Sequence, residues 1–157
     1  MTVSYNAGFT ADPKNPVFST GKVLKTIVAK FATTATANDV IVLAQGLPAS
    51  AVIRAIRFPR GTPAISGCTD VDFGLYRHDG AVVDADALAD GVSFGSAKSG
   101  YQDVLGSSIG SFDVDKNLAE LAGTTIDKAP IGGYDVCATI NTGAVGTLYC
   151  EIVVEEA

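Results

Sequence analysis

The chain has 157 residues, of which 47% are apolar and 18% charged, and a formal net charge of −6. A chain of this length fits one domain that buries about 70% of the surface exposed by its unfolded form, and the composition lies far from that of disordered segments. The negative charge argues against nucleic-acid binding, which begins with a surplus of Lys and Arg, and no stretch approaches the roughly 18 apolar residues of a membrane span.

Seventeen glycines and six prolines punctuate runs of Val, Ile and Thr, a texture of short strands and frequent turns that predicts an all-β protein. The charge is unevenly distributed. Residues 1–60 hold seven Lys/Arg against two Asp, whereas residues 61–157 hold four Lys/Arg against fifteen Asp/Glu. Halves mapped to different faces would polarise the molecule, and sheet pairing that interleaves them would cancel the asymmetry.

Residues 1–20 mix Asn, Pro and Gly with the isolated aromatics Tyr5, Phe9 and Phe18, and are expected to form an extended arm ahead of a single domain over 21–157. They show no basic segment followed by an apolar run, so no secretory signal is read and a cytosolic origin is expected. Residues 22–34 have apolar positions at helical spacing, yet Lys22 and Lys25 would oppose a helix dipole and β-branched residues dominate, so a strand is predicted. Residues 39–44 form a continuous apolar run, expected of a strand covered on both faces, with a turn at Gly46, Leu47 and Pro48. Residues 51–58 make the next strand, stopped by the Pro59 to Pro63 breaker cluster.

Residues 70–77 alternate, with Val71, Phe73 and Leu75 inward and Asp70, Asp72 and Tyr76 outward, before a tight turn at Asp79-Gly80. Residues 84–89 read as an Ala-rich turn with some helical character, residues 92–94 as a short strand, and residues 97–115 as a Gly/Ser-rich excursion with a minor strand near Val104. A helical turn or two over 116–122 ends at Gly123. The last two strands alternate most clearly: Tyr134, Val136, Ala138 and Ile140 along one, Leu148, Cys150, Ile152 and Val154 along the next. Matching their apolar faces predicts a hairpin pairing Ile140 with Leu148, Ala138 with Cys150 and Val136 with Ile152, with Cys137 opposite Glu151. That register precludes a Cys137–Cys150 disulfide, and three cysteines without C-x-x-C spacing are expected to be free thiols.

Motifs for chemistry are weak. Gly106-Ser107-Ser108-Ile109-Gly110 matches G-x-S-x-G, but the only histidine, His78, precedes the serine, the reverse of the α/β-hydrolase order, so a flexible loop is the better account. His78 sits in a turn and is assigned no role. Asp84, Asp86 and Asp90 lack the glycine and glutamate of a calcium-binding loop, and read as an acidic edge that discourages strand aggregation; a looser cation site on Asp70, Asp72 or Asp84 is the alternative. Arg54, Arg57 and Arg60 recur every third residue, which on a regular strand puts Arg54 and Arg60 on one face and Arg57 on the other. No cofactor, metal site or catalytic group is assigned, and the chain is read as a non-enzyme.

The runs Asp39-Val40-Ile41-Val42-Leu43, Leu47-Pro48-Ala49-Ser50-Ala51-Val52-Ile53, Val71-Asp72-Phe73-Gly74-Leu75-Tyr76 and Ala87-Leu88-Ala89-Asp90-Gly91-Val92, with the closing strands, resemble the capsid decoration (cement) proteins of tailed bacteriophages. The resemblance implies a jelly-roll-like antiparallel β-sandwich with a short helical turn or two. It also implies a virion location, a major capsid protein as partner, and a dimer or trimer on the outer surface of an icosahedral shell, without nucleic acid or membrane. Tyr5, Phe9, Phe18, Lys22, Lys25, Arg54, Arg57 and Arg60 are the expected capsid or subunit contacts. A phage fibre or receptor-binding module and a small β-sandwich enzyme are the alternative readings.

Overall fold

The computed structural model of the chain describes residues 4–5, 9–10, 23–105 and 115–156. Its elements are β1 (Ser4–Tyr5), β2 (Phe9–Thr10), β3 (Val23–Thr33), β4 (Asp39–Leu47), β5 (Val52–Phe58), β6 (Val71–Arg77), β7 (Val82–Val92), β8 (Gln102–Asp103), α1 (Leu118–Leu121), a 3-10 turn (Ile126–Lys128), β9 (Tyr134–Ile140) and β10 (Gly146–Glu156). Strands β3-β10-β5-β8 form one antiparallel sheet and β4-β9-β6-β7 the other.

Within the sandwich the first strand pairs with the last (β3 with β10), the second with the second-last (β4 with β9), the third with β8 and the fourth with β7. This is the ladder of one long hairpin rolled into two layers, the jelly roll. The expected all-β sandwich is therefore present in its jelly-roll form.

Alternation explains the core. Phe31 from β3 and Phe58 from β5 meet Phe73 from β6 and Phe94, which follows β7, in an aromatic cluster with ring centroids 4.7 to 6.3 Å apart. All four rings are buried, together with Ile53, Ile56, Leu75, Val136, Ile140 and Ile152. Rings from both layers at these separations favour tilted and edge-on contacts, which add to the burial of their apolar area.

The end of α1 follows its sequence. Asn117 caps it by accepting from the Glu120 amide at 2.9 Å while the Glu120 carboxylate accepts from the Asn117 amide, and Gly123, with φ +72°, closes it. The first two amides of α1 donate to the carbonyls of Ala51 and Ala49, fixing the helix against the start of β5.

Several expectations are corrected. β9 and β10 are not a hairpin: β9 lies between β4 and β6, and β10 between β3 and β5, in opposite sheets. Their alternating apolar faces are both buried, but as parts of two facing layers and not as one paired surface. Cys137 accordingly pairs in register with Val42 and Gly74, and not with Glu151. Residues 84–89 are neither turn nor helix, since β7 runs unbroken to Val92, which leaves no separate strand over 92–94. Register shifts against β6 break the period-2 pattern in β7, so that neighbouring Leu88 and Ala89 are both buried. β4 is an edge strand with Val40 and Val42 exposed, so it is not covered on both faces, and it continues through Gly46 to Leu47 before the turn. Tyr76, expected outward, is buried, its hydroxyl 2.7 Å from the Thr139 hydroxyl. The minor strand falls on Gln102–Asp103, with Val104 buried just beyond it.

Candidate interaction surface

The outer face of the β3-β10-β5-β8 sheet carries the side chains that the core leaves out. Register places Val28 of β3 beside Glu151 of β10, and Glu151 beside Arg57 of β5, one row across three strands. Tyr149 lies two residues from Glu151 on the same face. Val28 is 69% exposed, Tyr149 59% and Tyr101 67%. With Arg57, Pro59 and Glu151 they line a shallow groove of about 140 Å³. A second groove along Pro59, Pro63, Thr147 and Leu148 shares Pro59 and Tyr149 with the first, which makes the strip continuous. The Arg60 guanidinium stands 5.3 Å from the centre of the Tyr101 ring, a cation–π contact that holds both groups at the rim.

β5 owes its basic face to a bulge. The register against β10 shifts between Val153 and Val154, so Arg54 is an extra residue in the ladder, and both Arg54 and Arg57 are exposed. The expectation that Arg57 points away from the face of Arg54 is thereby overturned. Arg54 donates from Nε to Glu155 at 2.7 Å and lies 3.7 Å from Asp115, and Lys25 pairs with Glu156 at 2.6 Å. The basic first half and acidic second half of the sequence thus interleave on this sheet, because β10 lies between β3 and β5.

The acidic surplus collects on the other sheet, where Asp39, Asp72, Asp84, Asp86, Asp90 and Asp135 stand against a single strand cation, Arg77. Asn141 Nδ2 bridges Asp70 and Asp72 at 3.2 and 2.7 Å, and the Gly91 amide donates to Asp72 at 2.9 Å. A hydrogen bond with Asp86 pushes the Asp84 carboxyl above its ordinary range, and one with Asp72 does the same to Asp90. Among the described residues no group of three or more His, Cys, Asp and Glu side chains is arranged to hold a metal ion, and no helix is long and apolar enough to cross a membrane.

On the outer face of β9, the buried Asp135 accepts from the Gly46 amide at 2.8 Å and lies 3.3 Å from Nδ1 of the exposed His78. This His–Asp contact was not expected from sequence, where the partners are 57 residues apart. Cys137, next on that face, is a poor nucleophile: burial, aided by the charge of Asp135, pushes its thiol up to about 12.

No protein-family model, curated protein or solved structure matches this chain.

Of the contacts expected from sequence, Lys25, Arg54 and Arg57 lie on the first sheet and Arg60 at its rim, with Lys25 and Arg54 engaged in ion pairs. Tyr5 and Phe9 oppose each other in the short β1–β2 ladder. Phe18, Lys22 and the Gly106–Gly110 motif lie outside the described residues. Val28 and Tyr149 were missed, because on a strand of unknown pairing an exposed apolar residue reads the same as a buried one, and Tyr101, just before β8, was missed within the Gly/Ser-rich excursion.

Proposed function

We propose that the chain is a structural virion protein that binds the outer surface of a tailed-phage capsid and reinforces it, with the outer face of the β3-β10-β5-β8 sheet as the docking side. The observation that carries this reading is the exposed strip of Val28, Tyr101 and Tyr149 around Arg57. Aromatic and Arg groups set among apolar neighbours are the composition that concentrates binding energy at protein interfaces. The jelly roll supports the reading by analogy, being a scaffold used by viral capsid proteins as well as by lectins and cupins. Many copies, each adding a modest interface, would together resist the outward force of packaged DNA. The acidic second sheet then faces solvent, where like charges keep neighbouring copies apart.

Sedimentation with empty tailed-phage capsid shells, built from the major capsid protein that this reading takes as the partner, tests the proposal. Saturable co-sedimentation is the expected result, and a chain that stays in the supernatant at saturating shell concentration overturns it.

A further inference from the structure

Tyr134 opens β9 and is the bulkiest fully buried side chain among the described residues, with 1% of its surface exposed. Its hydroxyl makes no hydrogen bond with any described residue. Buried polar groups are bonded in the great majority of cases, so one without a partner marks a place where a partner can arrive. Gln102 Oε1 is the one unbonded side-chain polar atom among the described residues that is sealed from solvent. The Tyr134 hydroxyl is therefore not sealed, and it meets solvent in an open cavity of about 240 Å³ that Tyr134 lines.

The cavity lies at one end of the sandwich. Arg77, the last residue of β6, is the register partner of Tyr134. The chain leaving α1 through Gly123, at φ +72°, brings Thr124 and Lys128 to the same cavity. Arg77 and Lys128 are exposed, and neither forms an ion pair with a described residue. The carboxylates next to them in the chain are held elsewhere: Asp135 accepts from the Gly46 amide and contacts His78, and Asp79 accepts from the Ala81 amide. The Arg77 charge reaches the phenol, since burial pushes Tyr134 above its ordinary range while Arg77 pulls it back.

We propose that this cavity binds a phosphate group, free or as the end of a phosphomonoester. Arg77 supplies a planar fork of N–H donors, Lys128 a second positive charge, and Tyr134 and Thr124 a hydroxyl each. The Arg77 fork alone satisfies the two oxygens of a carboxylate, whereas donors converging from β6, β9 and the segment after α1 suit a tetrahedral group. A charge of about −2 on a phosphomonoester near neutral pH matches the two cations. Val83 and Pro130 add an apolar wall on which the carbon part of an ester can rest. The carboxylates of the surrounding sheet repel a long polyanion, which leaves a compact anion as the ligand. The Tyr134 hydroxyl then donates to a phosphate oxygen and gains the partner that the core denies it. The inference is independent of the capsid reading and survives a failure to bind shells.

Amide NMR spectra of the full chain test it, titrated with sodium phosphate against sodium chloride at constant ionic strength and about pH 7.5, where phosphate is mainly the dianion. Saturable shifts are expected at residues 77, 124, 128 and 134, with a Kd of about 1 mM. Phenyl phosphate separates the two sources: tighter binding than phosphate assigns the cavity to a monoester, and equal or weaker binding assigns it to the free ion. Tyr134→Phe and Lys128→Gln should each weaken binding about tenfold, and Tyr134→Phe should leave Tm unchanged because the hydroxyl has no bond to lose. Shifts that grow linearly up to about 20 mM phosphate overturn the proposal. An affinity left unchanged by either substitution overturns it as well. Sodium acetate binding as tightly as phosphate also overturns it, and assigns the cavity to carboxylates.

Discussion

Gly74 of β6 lies directly beneath the backbone of Asp84 in β7: a Cβ at residue 74 would overlap the Asp84 carbonyl oxygen and the adjoining Ala85 peptide. The register shifts in β7 fold that part of the strand over the outer face of β6, and only a residue without a side chain lets it come so close.

Gly74→Ala must therefore displace a backbone, which a flexible side chain cannot absorb. Overpacking of this kind costs about 3 kcal/mol, equivalent to a fall in Tm of about 10 °C for a chain of this size. Thermal melting followed by circular dichroism checks it; an unchanged Tm would show that β7 is not seated on Gly74.

The buried thiols make stability sensitive to alkali. Burial pushes Cys137 and Cys150 each up to about 12, above the value of an exposed thiol, so the folded state holds these protons more tightly than the unfolded state. Their contribution is complete below the ordinary thiol range and is lost as pH rises through it towards 12, by up to about 1.4 kcal/mol per pH unit for each thiol. Urea titrations between pH 8 and 11 should show the native chain losing stability faster than the C137A/C150A variant. At pH 8 an aromatic disulfide reagent should leave all three cysteines unmodified until the chain unfolds, because all three are buried.

The contact between Asp84 and Asp86 on the acidic sheet makes stability depend on pH. Asp84 is pushed above its ordinary range first by its hydrogen bond with Asp86, and then by burial. A group so shifted supports folding at low pH and loses that support as pH rises through its folded value. Asp86→Asn should accordingly raise Tm at pH 7 relative to the parent and lose that advantage in acid, as the Asp84 carboxyl takes up its proton. A lower Tm at pH 7 would mean that Asp86 makes a contact whose loss outweighs the repulsion.

Tyr149 separates binding from stability. It is exposed on the outer face of the first sheet and lies on both grooves, so Tyr149→Ala should leave Tm unchanged. On the proposed function it removes a central aromatic anchor, worth at least about 2 kcal/mol, or some thirtyfold in Kd for the shell. Equal co-sedimentation of parent and variant would move the docking face elsewhere.

Much of the fold was legible because side-chain direction along a strand is local. The inward positions of Val71, Phe73 and Leu75, the breaker cluster after Phe58, the Asp79-Gly80 turn and the short helix within 116–122 that ends at Gly123 all appear in the structure as their residues predict. β7 was illegible for a local reason too: Ala and Asp have low strand propensity, and the shifted register hides its period.

The sequence by itself determined which side chains of β9 and β10 face the core, because a period of two depends only on the chain's own backbone. Which strand each one pairs with was decided by the tertiary structure. Residues 141–145 are short enough for a hairpin, yet they cross from one sheet to the other, held by the Ala144 amide on the Thr34 carbonyl at 2.8 Å and by the close approach of Gly143 to Ala35. The interaction surface has the same origin. Val28 and Glu151 are 123 positions apart, with Arg57 between them, and only the rolled ladder, which seats the last strand between β3 and β5, sets the three in one row.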